Sequence, residues 1–382
     1  MKKRYLFPLT LFVAAALLCF PQKVIENPAE PEAKNAGRVL VLKEEFRITD
    51  EQGDFYFQNP KNIKLAPDGS LFIADEEQLL RFSTDGKFLK NLFRKGQGPG
   101  ELERLHNYLF SGNEIVVFQH WPGKIVRMDM EGKLIREFKP EKPLSMLISV
   151  FGDRYIMAHH SPLKLEKKGT EPEIVDIDWK IINVSGEGIL EEIGPVFPAK
   201  WFAQRLPGAM IANYIVDLSA EPLGEKWLVL HHDQDYWLEL FDMESGKVQR
   251  KFGRKYRKVK LERQKKETET EKEKQAVSLD PPVDYVNDIQ KLFVVRDKIM
   301  AVTSTIDNTK GILVDVFNKE GEYIDNFFLP VKHIELMDLS RYPITISGDF
   351  LLIKETDEDD FSAVVKYKIM DMDTSSDKGY AH

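Results

Sequence analysis

The chain has 382 residues, 42% hydrophobic and 30% charged, with 62 acidic against 54 basic side chains. That much apolar material excludes wholesale disorder, and a single cysteine, Cys19, excludes a disulfide framework and any cysteine-based zinc site. The net charge of −8 argues against a general nucleic-acid binder, whose affinity rests on basic surface.

Lys2, Lys3 and Arg4 precede an apolar run from Tyr5 to Phe20, interrupted by Pro8. Sixteen residues make about 24 Å of helix, short of a bilayer core of roughly 30 Å. Residues 1–20 therefore read as a secretory signal peptide, with an uncleaved anchor as the rival. Lipid-anchored bacterial proteins carry a cysteine after such a run, but Leu18 stands where that pattern wants a small residue. Cys19 is expected to leave with the signal peptide; lipidation is the alternative. Residues 21–37 are polar and proline-containing and read as a linker.

From about residue 60 one phrase recurs: two short strands, a polar gap, then a hairpin closed on glycine. Its clearest copy, Asn62 to Phe93, holds the turns Asp68-Gly69 and Asp85-Gly86, whose expected positive φ angles suit tight hairpins. Further copies run from Tyr108 to Phe138, from Arg154 through an excursion at Lys164–Asp176 to Gly194, from Lys226 to Phe252, from Lys298 to Leu329, and from Ile344 to Asp371. The last hairpin glycines fall at 86, 132, 186, 246 and 321, the spacing widening as insertions grow. Four strands in a repeat of about 40 to 50 residues predict a β-propeller. The sixth copy lacks a fourth strand, and Arg38–Ile48 can supply it. The expectation is all-β: a six-bladed β-propeller of four-stranded antiparallel blades over 38–373, closed by an N-terminal strand, with a tail at 374–382. Seven blades is the competitor. Length alone had suggested two or three domains; the repeat reduces them to one ring.

The phrase Pro67-Asp68-Gly69-Ser70-Leu71-Phe72-Ile73-Ala74-Asp75, the later Leu79-Leu80-Arg81-Phe82-Ser83-Thr84-Asp85-Gly86 and the loop Gly96-Gln97-Gly98-Pro99-Gly100-Glu101 carry a resemblance. The chain resembles a largely uncharacterised family of exported bacterial six-bladed propellers related to the NHL-repeat propellers. Two blades match in sequence and the others in rhythm. The resemblance implies fold and export; some distant six-bladed relatives are lactonases or lyases with a channel metal, but no motif here carries their catalytic residues over. The Gly96–Gly100 loop lacks the Lys-Ser or Lys-Thr of a phosphate loop and reads as a connector between blades.

Loops between second and third strands open on one face, and reading them across the blades gives Asp75-Glu76-Glu77, Gln119-His120-Trp121, His159-His160, His231-His232-Asp233, Ser304-Thr305 and Lys354-Glu355. Five of the eight histidines are among them. Imidazoles and carboxylates converging on one axis could form a ligand funnel from Asp75, Glu76, His120, His159, His160, His231, His232 and Asp233. A divalent metal, if one binds, falls to His120, His159 and His231. The plainer reading is that strand ends carry polar side chains because they meet water. Trp201, Phe202 and Arg205 are either an exposed patch or wedged between blades.

The run Arg254–Lys274, within an insert spanning 254–282, holds ten basic and five acidic residues, a local +5 that leaves −13 for the rest. It reads as a solvated loop, with contact to an anionic envelope or membrane surface as the sharper alternative. The expectation is a monomeric, exported, periplasmic or cell-surface module that binds an unidentified protein or small molecule without catalysis. It takes no nucleic acid and no cofactor. The alternative is a metal-dependent hydrolase or lyase working in the funnel.

Overall fold

The second strand of each repeat is apolar at consecutive positions, where a sheet wet on one side would alternate. Leu71–Asp75 is buried at every position, and so are the last five residues of Glu114–Gln119. Both faces of each sheet must therefore be covered. The computed structural model describes residues 22–51, 53–167, 169–261, 281–331, 342–357 and 361–370, and in it each sheet stands between two others. The signal peptide, the 374–382 tail and most of the charged insert lie outside the described residues.

The N-terminal segment supplies β1 (Lys23–Asn27), β2 (Arg38–Val39) and β3 (Leu42–Ile48). Blade 1 is β4 (Pro60–Leu65), β5 (Leu71–Asp75), β6 (Gln78–Phe82) and β7 (Phe88–Asn91). Blade 2 is β8 (Asn107–Ser111), β9 (Glu114–Gln119), β10 (Lys124–Asp129) and β11 (Leu134–Phe138). Blade 3 has five strands: β12 (Met146–Phe151), β13 (Arg154–His160), β14 (Glu173–Ser185), β15 (Leu190–Leu206) and β16 (Ala209–Val216). Blade 4 comprises β17 (Ser219–Leu223), β18 (Trp227–His231), β19 (Trp237–Asp242) and β20 (Lys247–Arg254). Blade 5 comprises β21 (Ile289–Val295), β22 (Lys298–Asp307), β23 (Gly311–Phe317) and β24 (Tyr323–Leu329). Blade 6 has β25 (Ile344–Ser347), β26 (Phe350–Thr356) and β27 (Ser362–Ile369).

The first strands surround the axis: β8 lies beside β12, β12 beside β17, β17 beside β21, β21 beside β25 and β25 beside β4. Blade 6 is completed by β3, antiparallel to β27 from Val364↔Ile48 to Ile369↔Leu42. The closing strand is shorter than the expected Arg38–Ile48. Arg38–Val39 instead adds to blade 5, parallel to β24, held by both guanidinium amines of Arg38 on the Asp325 carboxylate at 2.9 Å. The expected linker is also partly structured. Lys23–Asn27 runs parallel to β20 on the rim of blade 4. Asn27, nearly buried, explains why: its amide donates to the carbonyls of Gly253 and Gly321 and accepts from the Tyr323 N–H, joining blades 4 and 5.

Among the described residues the apolar side chains do not form a single central core. Six apolar clusters each fill one seam between blades, from Phe72, Tyr108 and Val117 at the first seam to Ile48, Leu71, Phe82 and Val364 at the closing one. Along β5, Leu71 and Ile73 face the closing seam while Phe72 and Ala74 face blade 2. Strand alternation thus feeds two cores at once.

The repeat glycines sit at the turns between third and fourth strands. The Asp-Gly pair does not make a two-residue turn here: only the glycine has positive φ, +84° at Gly86, and the Ser83 N–H donates to the Lys87 carbonyl across a three-residue turn, with a register shift further along at Arg81 and Phe82. In blade 3 the positive-φ glycine is Gly188 and not Gly186. A Cβ on Gly86 would come within 2.7 Å of Phe46 on β3, and one on Gly321 within 2.7 Å of Phe252 on β20. These turns bear on the outer strand of the preceding blade, so the glycine serves both the turn and the seam.

Blade 3 carries the main departure from the repeat. The third-copy excursion becomes strand only from Glu173: residues 173–178 of β14, 198–206 of β15 and all of β16 continue past the level of His160↔Trp179 as a three-stranded wing. Nine residues of β15 amount to roughly 25 Å of strand above the blade. Phe202, Ile215 and Val216 pack the wing against Val283, in the connection leading to blade 5.

Candidate functional site

Several of the strand ends at the second-to-third loops are buried and hydrogen-bonded. Asp75 is fully buried and its two oxygens accept the backbone N–H groups of Gln58 and Asn59 at 2.8 and 2.6 Å. Burial pushes its carboxyl up, and those N–H groups oppose the shift. Gln119, at the equivalent place in blade 2, accepts from the N–H groups of Glu103 and Arg104. In both blades the side chain holds the connection arriving from the preceding blade. Ser304 is buried, and it shares the Tyr256 hydroxyl with Thr305 at 3.1 and 2.7 Å. Glu355 accepts from the Tyr367 hydroxyl at 2.7 Å and pairs with Arg47 at 2.8 Å. Much of the polar recurrence seen in the sequence is therefore the fastening of loops to blades.

The histidines divide into two groups. His120 lies against His106, ring centroids 5.6 Å apart, and its Nδ1 is 2.5 Å from the Leu144 carbonyl oxygen. His159 is 3.3 Å from the Ser145 hydroxyl and stacks on His160 at 5.9 Å and 19°. Burial lowers both His106 and His159, and each is lowered further by neighbouring imidazoles, His120 among them. His160 presses edge-on against Trp179 and Trp201 at 5.1 and 4.7 Å. An arc of imidazoles thus crosses from blade 2 to blade 3 and ends on the root of the wing. The indole of Trp179 donates to Asp217 at 3.0 Å, and burial raises that carboxyl.

The second group is on blade 4. His231 is buried, its Nδ1 2.9 Å from the Trp237 carbonyl, and desolvation lowers it to about 4. His232 lies between the Pro198 carbonyl at 3.1 Å and the Glu239 carboxylate at 3.3 Å. Asp233 accepts the Asp235 N–H, and exposed Glu76 pairs with Lys61 at 3.4 Å. The electrostatic neighbours of His159 are His160, His120, Glu192 and Lys142, whereas those of His231 are His232 and Asp233. Among the described residues no group of three or more His, Cys, Asp or Glu side chains is arranged to hold a metal ion. Trp201 and Phe202 are buried at the seam and the wing, which excludes them as an exposed patch.

Two sets of residues go beyond the sequence reading, which singled out only Trp121 among them. The exposed aromatics Tyr56, Trp121, Tyr285 and Phe361 all lie in the connections or second-to-third loops, on the face from which the wing rises. Trp121 and Phe361 are each 67% exposed. The other set lines the axis: Lys64 on β4, Glu221 on β17 and Lys291 on β21, each on an innermost strand. Charged residues inside the short inner strands were the available signal.

Residues 49–187, which cover blades 1 and 2 and most of blade 3, match the model of DUF5128, described as a 6-bladed beta-propeller. The chain is a six-bladed β-propeller. Its fold is similar to the crystal structure of a DUF4221 family member from Bacteroides vulgatus, with 14% identity, 87% of this chain and 99% of that one covered, and a TM-score of 0.54. A Bacteroides fragilis protein described as exported is similar at 12% identity, covering 91% of this chain and 100% of that one, with a TM-score of 0.51. No curated protein matches the chain. The propeller resemblance read from the sequence therefore holds, and at these identities it concerns the fold.

Proposed function

We propose that this propeller is an exported, non-catalytic binding module that takes a protein or small-molecule ligand on the face bearing the wing. The observation that carries the reading is the segregation of Tyr56, Trp121, Tyr285 and Phe361 to that face. Aromatic side chains held on short loops supply large contact area at small conformational cost, which is what a recognition surface needs. The imidazole arc beside them supplies polar contacts, with His106 exposed and His120 and His159 partly so. Export is supported by the basic-apolar N-terminus and by the exported Bacteroides fragilis neighbour.

Trp121 provides the test, because an exposed indole reports a ligand through its fluorescence. Screening peptides, oligosaccharides and lactones should yield a compound that shifts this emission and whose affinity falls at least tenfold in Trp121→Ala or Phe361→Ala. Ligands that bind both variants as they bind the wild type would remove the reading. Turnover of a lactone that stops on chelation would replace it with the hydrolase.

A further inference from the structure

Lys64, Glu221 and Lys291 stand on the innermost strands of blades 1, 4 and 5, at Lys64↔Phe72, Glu221↔Val229 and Lys291↔Val302. In a ring of six, blades 1 and 4 are diametrically opposed, so Glu221 and Lys64 face one another across the channel. The three interact electrostatically: both lysines act on Glu221, and Glu221 acts on each of them. Yet no member of the set forms an ion pair within contact distance among the described residues. Lys64 has the Tyr108 ring 5.8 Å away, and Lys291 donates to the Tyr342 carbonyl at 2.8 Å. Each is partly buried.

Two ammonium groups and one carboxylate that influence one another without forming an ion pair carry an excess of one positive charge. An ammonium has three donors and no acceptor, so Lys64 has most of its hydrogen-bonding capacity unspent. In a low-dielectric channel that deficit is costly, and an anion placed between the two lysines would satisfy both.

We propose that the central channel is a binding site for a small anion, a carboxylate or phosphate group held between Lys64 and Lys291, with Glu221 as the internal anion that competes for them. Burial lowers both lysines, Lys291 to about 8, and raises Glu221 to about 7, the direction expected where charges are incompletely matched.

The site is independent of the aromatic face, and the experiment separates the two. Thermal unfolding of the full chain would be followed with sodium phosphate and with sodium acetate against sodium chloride at matched ionic strength. Phosphate, acetate or both should raise the wild-type midpoint above the chloride control. That excess should vanish in Lys64→Met and Lys291→Met and persist in Trp121→Ala. Glu221→Gln removes the internal competitor, so calorimetric titration should show about tenfold tighter binding. It decides the matter if a lysine variant fails to fold. No excess over chloride in the wild type, an unchanged excess in the folded lysine variants, or weaker binding by Glu221→Gln would each overturn the proposal.

Discussion

Replacing Arg254 with methionine removes a guanidinium from a closed polar cluster between blades 4 and 5. Its Nε donates to Asp315 at 2.7 Å, and the Tyr236 and Tyr323 hydroxyls donate to the same carboxylate at 2.5 and 2.7 Å. Asp315 is wholly buried, and the guanidinium carbon lies 5.0, 5.0 and 5.2 Å from the rings of Tyr236, Tyr256 and Tyr323. Methionine fills much of the aliphatic volume, so the main loss is the counter-charge of a buried carboxylate, about 3–5 kcal/mol. Lost ring contacts add about 1 kcal/mol. In a chain of this size that lowers the midpoint by about 10 °C. Urea unfolding of Arg254→Met, Asp315→Asn and the double variant gives the coupling. The double variant should be more stable than the sum of the single losses by at least about 2 kcal/mol, because removing both charges leaves none unpaired. Additive losses, or a cost for Arg254→Met below about 1 kcal/mol, would refute the reasoning.

His231 predicts a pH dependence. Its folded value of about 4 lies below the ordinary 6.5, so the unfolded chain takes up the proton first as acid is added. The stabilisation is complete above pH 6.5 and is lost as pH falls toward 4, a change of about 3 kcal/mol. Glu221 and Asp288, raised to about 7 and 6, act in the opposite sense. The measurement is therefore the stability difference between wild type and His231→Gln, which should shrink or reverse from pH 7 to pH 4. Gly321→Ala meets both a φ of +83° and Phe252 at 2.7 Å; a loss of about 2–3 kcal/mol in urea is expected. Asn27→Ala strands two carbonyls and the Tyr323 N–H and should cost about 2–3 kcal/mol, with faster hydrogen exchange at Tyr323.

The fold was legible because each blade repeats its punctuation: glycines at fixed places and continuous apolar second strands that only a sheet covered on both faces can use. The N-terminal strands were less so. Lys23–Asn27 has no strand-like alternation, and it is held by Asn27 making three bonds to groups far along the chain. Arg254 looked like the first residue of a solvated basic run, yet it ends β20 and is enclosed by tyrosines. Charge composition cannot reveal that, because the carboxylate that neutralises it is Asp315 on another blade. At the site, the polar residues Asp75 and Gln119 stand at strand ends as read from the sequence, but their partners are backbone groups of the incoming connections. A sequence records the side chain and not the amide it meets.

The chain's first described strands lie along the rim of its last three blades, and this sets a timetable. Asn27 and Tyr323 are 296 residues apart, and β3 meets its partner only after β27 has been made. At elongation rates of roughly 5–20 residues per second, the N-terminal segment waits on the order of tens of seconds for its lodging. Contacts of such high sequence separation are also slow to form. Until they do, β20, β24 and β27 are the outermost strands of blades 4, 5 and 6. Lys23–Asn27, Arg38–Val39 and Leu42–Ile48 therefore reach their places only after blades 4 to 6 have been made.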